Sequence, residues 1–110
     1  MKRVDYYQKL EELFDYEVPG YIREVGKSFI VIRVSDWRGE QDLKVRVEDV
    51  IEYYAVEARN ILSGCRTLAG YASDWRGVDE LAKLCLAWFK YVNRDELRRQ
   101  GHKRGMELRD

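Results

Sequence analysis

The 110-residue chain is poor in the residue types that commonly mark a metal or redox site. It contains one histidine and two cysteines, Cys65 and Cys85, which form no C-x-x-C pair. His102 cannot complete a zinc site with them. We expect both cysteines to be free thiols, with Cys85 packed as a small apolar side chain and Cys65 accessible in a polar loop. The sequence therefore predicts no metal and no cofactor.

Other absences narrow the function classes. No G-x-S-x-G motif, phosphate-binding loop or Cys/His pair is present, which favours a protein that is not an enzyme. The 20 basic and 20 acidic residues give a formal net charge of zero, so the chain has no general attraction to nucleic acid. No apolar run approaches the roughly 18 residues of a membrane span, and the N-terminus lacks the apolar core of a signal peptide. We therefore expect no membrane association and a cytoplasmic location.

The amino-acid composition of the chain is typical of one small folded domain. Hydrophobic residues make up 45% of it and charged residues 36%, which is neither a disordered nor a membrane composition. Residues 1–93 are predicted to form a single compact α+β domain. Residues 94–110 are predicted to form a short polar helix, over 94–100, and a basic, partly mobile tail.

The apolar periodicity predicts the fold class in more detail. The expected order is α-β-β-β-α-α, with a three-stranded antiparallel meander and two long C-terminal helices on one sheet face. The predicted elements are a helix over 4–14, strands over about 21–25, 28–34 and 42–47, a helix over 50–62, a loop, and a helix over 75–92. The face that these helices cover is predicted to comprise Ile30, Ile32, Val34, Leu43, Val45 and Val47.

The pentapeptide SDWRG occurs twice, at 35–39 and 73–77. The first copy lies between two segments of strand period and the second precedes a segment of helical period, so the chain is not a repeat fold. Ser35 and Asp36 can bond their own downstream backbone, and Gly39 can supply a positive φ in a hairpin turn. In the second copy, Ser73 or Asp74 can cap the helix that follows.

Local structure does not require every residue of this motif. Tryptophan and arginine are enriched among binding hot spots, so we predict that Trp37, Arg38 and Arg76 contact a protein partner. The open alternative is that each aspartate pairs with the arginine two residues later and each tryptophan covers nearby core. Apolar residues around most of the 75–92 helix, including Leu84, Leu86 and Ala87, also predict a homodimer or a partner groove there.

The preferred function is therefore a protein-binding accessory or inhibitor protein, of the type that mobile elements and phages carry. That last step rests on analogy. The alternative is a nucleic-acid-binding module that uses the sheet face opposite the core, where Arg33, Lys44 and Arg46 are interleaved with Phe29 and Val31. The basic tail would add Arg98, Arg99, Lys103 and Arg104. A solvated face, or one covered by the N-terminal helix, explains the same pattern without a ligand.

The predicted order α-β-β-β-α over residues 4–62 resembles that of a double-stranded-RNA-binding domain, with VPGYIREVGKSFIVIRV in the place of its first two strands. The resemblance implies a lysine cluster at the start of the second helix, which would grip phosphates. This chain has Glu48, Asp49 and Glu52 there, and acidic groups would repel a duplex. We therefore transfer no RNA-binding residue from that family.

Overall fold

The computed structural model describes residues 3–50, 53–72 and 78–104, and it is an α+β fold around one antiparallel sheet. Five strands lie in the sheet in sequence order, and each pairs with the next. The order is therefore α-β-β-β-β-β-α-α. The elements are α1 (Arg3–Glu17), β1 (Ile22–Val25), β2 (Ile30–Asp36), β3 (Gly39–Val50), β4 (Tyr53–Asn60), β5 (Arg66–Ala72), α2 (Val78–Val92) and α3 (Arg94–Arg104).

The predicted meander of the first three strands is confirmed, and so is its buried face. The residues on that face alternate along β2 and β3, as the two-residue period of a strand requires. All six predicted core positions are buried, and none exceeds 6% exposure: Ile30, Ile32, Val34, Leu43, Val45 and Val47. We call this side of the sheet the inner face and the opposite side the outer face.

The predicted helix over residues 50–62 is wrong, because residues 53–60 form strand β4. Val56 and Ala58 lie opposite Val47 and Val45 in the β3–β4 register and extend the inner face. On the outer side, Ala55 and Glu57 are as buried as their inner neighbours, so the segment lacks the apolar–polar alternation of a half-exposed strand. Alanine, glutamate and arginine also favour helices, and pairing between β3 and β5 overrides that preference.

The likeness to the double-stranded-RNA-binding order fails at the same segment. Its second helix would occupy residues that here belong to a strand in the middle of the sheet. The order α-β-β-β-α therefore does not describe this chain.

The predicted loop before the last long helix is also wrong, since residues 66–72 form the edge strand β5. Gly70 lies opposite Val56 on the inner face, where a Cβ atom would be 3.3 Å from the Cβ of Leu84 in α2. The register shifts between Val56 and Glu57, which leaves Ala69 as an extra residue in β5. Glycine and a bulge are weak strand signals, but here they let the helix approach the sheet closely.

Two helices cover the inner face: α2, which lies within the predicted helix over 75–92, and α1, which was not predicted there. Helices α1 and α2 run parallel, because Lys9 in the middle of α1 pairs with Asp79 near the start of α2 (3.4 Å), and Glu17 at the end of α1 pairs with Lys90 near the end of α2 (2.5 Å). The ring of Phe89 contacts those of Phe14 and Tyr21, with centroids 4.9 and 5.0 Å apart. Helix α1 therefore occupies the position that was assigned to the helix over 50–62.

The hydroxyl of Tyr7 joins α1 to the sheet. It accepts a hydrogen bond from the backbone N–H of Val47 (2.8 Å), where β3 extends past the end of β2. A side-chain hydroxyl thus supplies the hydrogen-bond acceptor for a backbone N–H at a buried strand edge.

The apolar circumference of α2 has an explanation within one chain. Leu81, Ala82, Cys85 and Phe89 are completely buried, and Leu84 packs against β5 at Gly70. Self-association through this helix therefore stays a prediction.

Helix α3 is longer than predicted and reaches Arg104, with Leu97 packed against the core. Residues 105–110 of the predicted tail lie outside the described residues. Among the helices of the described ranges, none is long and apolar enough to cross a membrane.

Candidate binding surfaces

The first SDWRG copy forms the β2–β3 turn. Asp36 pairs with Gly39 across the hairpin, so Trp37 and Arg38 form its tip. The carboxylate of Asp36 accepts the backbone N–H of Arg38 (2.8 Å), and Gly39 has a φ of 100°. Both features were predicted, and the positive φ explains why glycine follows the turn.

The geometry of this turn distinguishes the two interpretations of Trp37 and Arg38, which are contact with a partner and a purely local structural role. Arg38 pairs with Asp36 through an Nη2–Oδ2 contact of 2.8 Å, and this guanidinium lowers the pKa of the Asp36 carboxyl. Trp37 is 91% exposed, so the expectation that it covers nearby core is wrong. Its one close charged neighbour in the tip is the Arg38 guanidinium, 5.7 Å from the ring centroid. The second copy, including Arg76, lies outside the described residues.

A second turn, between β4 and β5, lies beside this tip at the same end of the sheet. The backbone N–H of Ile61 donates to the carbonyl of Asp42 (3.1 Å), and the side-chain oxygen of Asn60 accepts the N–H groups of Leu62 and Ser63 (2.9 and 2.8 Å). Leu62 is 97% exposed and Ile61 is 50% exposed. The turn therefore presents apolar side chains on a hydrogen-bonded backbone.

Polar side chains connect the two turns. Asn60 Nδ2 donates to Gln41 Oε1 (2.8 Å), and Gln41 Nε2 donates to Asp36 Oδ2 (3.0 Å). Asp36 in turn holds Arg38, so an unbroken series of contacts runs from one turn to the other. Such a network restricts both turns before any partner arrives.

The end of α2 braces the β2–β3 turn from the helix layer. Asn93 is fully buried; its Oδ1 accepts the backbone N–H of Ser35 (2.5 Å), and its Nδ2 donates to the carbonyl of Phe89 (2.9 Å). Tyr91, 67% exposed, and Trp37 line a cleft of about 460 Å³ between this junction and the turn. A cleft of about 520 Å³ on the other side is lined by Arg38, Ile61 and Leu62, among others.

We call the exposed side chains at this end of the sheet the tip surface: Trp37, Arg38, Ile61, Leu62 and Tyr91. The sequence predicted the first two. Ile61 and Leu62 were missed because they were placed on the apolar stripe of a helix that does not form.

The residues proposed for nucleic-acid binding lie as expected on the outer face, and α1 does not cover them, because it packs on the inner face. Arg33 is bound by Asp42 (Nε–Oδ1, 2.8 Å) and lies 3.8 Å from Glu40; its guanidinium lowers the pKa of the Asp42 carboxyl. Lys44 stands over the ring of Phe29, 4.6 Å from its centroid. Arg46 pairs with Glu57 (Nη2–Oε2, 3.3 Å).

Sequence reasoning missed three charged residues of this face: Glu57 and Arg59 on β4, and Arg66 on β5. Glu57 is 2% exposed, and its Oε1 lies 2.6 Å from Arg59 Nε and 3.4 Å from Arg66 Nε, although neither N–H is aligned for a hydrogen bond. The segment YYAVEARN has no apolar–polar alternation, so its sequence carries no periodic signal that would place Glu57 and Arg59 on this face.

The basic residues of the C-terminal segment do not join this face. Arg98 lies 3.8 Å from Asp95, and Arg99 pairs with Glu96, so both are occupied along α3 itself. Lys103 and Arg104 belong to the last turn of the same helix. Leu97 packs against the core between sheet and helices, which places α3 on the helix side of the sheet.

The cysteines lie where the sequence predicted. Both are free; Cys65 is exposed near the tip surface, and Cys85 is buried in α2, where burial raises the pKa of its thiol to about 12. A thiol with such a pKa stays protonated and unreactive at neutral pH. Among residues 3–50, 53–72 and 78–104, we find no group of three or more side chains suited to hold a metal ion.

Comparisons with family models, with curated proteins and with solved structures returned no match to this chain.

Proposed function

We propose that this chain acts without catalysis, by binding a protein partner through the tip surface, as an accessory or inhibitor protein. The observation that carries the proposal is the exposure of Trp37 (91%) and Leu62 (97%) on two adjacent turns. When a partner buries large apolar side chains that point into water, the free energy of the complex is lowered. A single exposed apolar residue is ordinary, whereas several at one place indicate a binding site.

The distribution of exposed apolar side chains supports this choice of surface. Six large apolar residues are exposed among those that the structure describes, and four lie at the tip end of the sheet: Trp37, Ile61, Leu62 and Tyr91. The other two are Tyr16 on α1 and Val25, the last residue of β1, which lies at the end of the sheet away from the tip surface. The concentration at one end is what a docking surface requires.

The backbone at this end is held in place before binding. Asp36, Asn60 and Asn93 each accept backbone N–H groups in or next to the turns. Ordering of loops is one of the main costs of association, so turns that are already ordered bind more tightly for the same area. Tryptophan, tyrosine and arginine on such a support have the composition of a binding hot spot.

The test is a double substitution, Trp37→Ala/Leu62→Ala, in the full chain. Cross-linking of the wild-type protein in cells that express it naturally identifies its partner. Calorimetry with the purified partner then gives the Kd of the wild type and of the double variant. Loss of one hot spot costs about 2 kcal/mol, so we expect binding to weaken roughly 30-fold or more.

Val25→Ala is the matched control, because Val25 is a partly exposed apolar residue (41%) at the other end of the sheet. It should leave the Kd unchanged. A double variant that is folded and binds as tightly as the wild type would reject the tip surface as the site.

Self-association is a separate proposal, and light scattering tests it. A particle of twice the chain mass of 13.1 kDa supports a homodimer. A monomer at all accessible concentrations would reject it.

A further inference from the structure

The outer face of the sheet carries a row of basic side chains that the local pairing does not explain. In the strand register, Lys44 lies directly opposite Arg59, and Arg59 lies directly opposite Arg66. Like charges at opposite positions of an antiparallel pair destabilise a sheet. Arg46, two residues along β3 from Lys44, adds a fourth cation. We call Lys44, Arg46, Arg59 and Arg66 the basic row.

One buried carboxylate holds three of these four side chains together. Glu57 lies beneath Arg46, Arg59 and Arg66, whose contacting nitrogens are 2.6 to 3.4 Å from its oxygens. Glu48 also pairs with Arg66 (2.7 Å), and Arg59 Nη1 donates to the carbonyl of Gly64 (3.2 Å). Four cations against two carboxylates leave this patch with a formal charge of +2.

The basic row contains more cations than are needed to neutralise the charge of Glu57. A carboxylate carries one negative charge, and three guanidiniums surround it while Lys44 makes no ion pair with any carboxylate of the described residues. The three arginines carry about fifteen N–H donors in all, and the contacts to Glu57, Glu48 and Gly64 use a minority of them. Because Glu57 is 2% exposed and the arginines are 45 to 51% exposed, the cations form the surface and the anion lies below it.

We propose that the basic row binds the phosphate backbone of a single-stranded nucleic acid. Charge complementarity selects the ligand class, because guanidinium groups bind phosphate oxygens with two parallel hydrogen bonds. The row crosses three adjacent strands, about 10 Å, and about three phosphates of one nucleic-acid strand fall within that length.

The flat sheet face and one aromatic ring favour a single strand over a duplex. The Phe29 ring lies next to the row beneath Lys44 and is partly exposed. Single-strand-binding surfaces combine basic and aromatic side chains in this way. This extends the face expected from Arg33, Lys44 and Arg46, but Arg33 is engaged by Asp42 and Glu40 and does not belong to the site.

The experiment measures fluorescence anisotropy of a labelled oligothymidine of about 16 nucleotides, the upper site size of single-strand-binding folds. Three phosphate contacts predict a slope of about −2 in log K against log salt, which is a roughly 20-fold loss of affinity between about 50 and 200 mM salt. Lys44→Gln and Arg59→Gln should each reduce the slope by about 0.7. Lys44→Gln is the cleaner variant, since Lys44 does not contact Glu57.

Lys83→Gln, which removes an exposed cation from α2, is the charge-matched control and should bind as the wild type does. Thermal unfolding of each variant verifies that it is folded. No binding at about 50 mM salt, or binding that Lys44→Gln and Arg59→Gln leave unchanged, would overturn the proposal. Loss of binding in Arg98→Gln/Arg99→Gln alone would assign it to the C-terminal helix instead.

Further outcomes separate this site from its alternatives. Tighter binding to a duplex of the same length would overturn the single-strand assignment. Competition by an acidic peptide at equal charge concentration would show an acidic protein to be the ligand. The proposal does not depend on the tip surface: Trp37→Ala/Leu62→Ala should leave the anisotropy titration unchanged.

Discussion

The two faces of the sheet are made by alternate residues of the same strands, yet they are buried in different ways. On the inner face, Ile32 is covered by helices and is fully buried. On the outer face, the preceding residue, Val31, is 4% exposed, although none of the described helices packs on that face. Its neighbours in the register on that face are Glu24 and Lys44, and we expect the methylene stems of these long side chains to shield it from water.

Burial on the two faces therefore has different mechanical consequences. Helices and strands form a close-packed interior that relaxes little when an atom is removed. Long charged side chains are anchored only at one end and can move into a space that opens beneath them. The inner face should therefore be rigid and sensitive to volume, and the outer face adaptable and sensitive to charge.

Two side-chain truncations at adjacent positions test the difference between the inner and outer faces, and they should produce the largest change in the free energy of unfolding. Ile32→Ala leaves a cavity between the layers and should lower the free energy of unfolding by about 3 kcal/mol. Val31→Ala removes less volume beneath mobile side chains and should cost about 1 kcal/mol. Urea unfolding measures both values, and equal losses would contradict the distinction between the faces.

Removal of the buried carboxylate tests the charge sensitivity of the outer face. Glu57→Gln leaves Arg46, Arg59 and Arg66 close together without their shared anion. Because these arginines are half exposed, water screens much of the repulsion, and we expect a loss of about 1 to 2 kcal/mol. Glu40→Gln is the control, since Glu40 is 66% exposed and 3.8 Å from Arg33; its effect should be near zero. Added salt should reduce the Glu57→Gln deficit.

A smaller effect should follow pH. The pKa of Asp42 is lowered from 3.8 by its hydrogen bonds to Arg33, so the folded state favours the ionised carboxylate. The resulting stabilisation is fully present above pH 3.8 and is lost as the pH falls below it. Asp42→Asn should therefore unfold at a lower temperature than the wild type at neutral pH, and this difference should shrink in acid. A difference that is constant with pH would contradict an electrostatic origin.

The smallest expected change in stability is at the tip, which belongs to neither buried face. Trp37 is 91% exposed, so Trp37→Ala should alter the free energy of unfolding by less than about 0.5 kcal/mol. Gly39→Ala in the same turn should cost about 1 kcal/mol, because its φ of 100° disfavours a side chain. A large loss in Trp37→Ala would mean that the tryptophan has a structural role after all.

Alternation along β2 and β3 was sufficient to predict these two strands and their buried face, because the six predicted inner residues are apolar. Alternation gives no such signal in β4. In β4, Glu57 occupies a buried position, and its neighbours Ala55 and Ala58 are small enough to suit a helix equally well. Nothing local distinguishes a carboxylate buried beneath three arginines from one on the solvated side of a helix. The placement of Arg59 and Arg66, which are half of the basic row, depended on that distinction.

The amino-acid pattern alone is sufficient for the α+β class, the inner faces of β2 and β3, the turn at Asp36–Gly39, the end of α2 at Asn93 and the two free thiols. These follow from short-range physics: side-chain period, the conformational freedom of glycine and local hydrogen bonding. Contacts between distant segments are needed to establish that residues 53–60 form a strand, that α1 packs beside α2, and which charged side chains meet on the outer face. Those outcomes depend on which distant segments cover a given side chain, and that information lies in packing between elements.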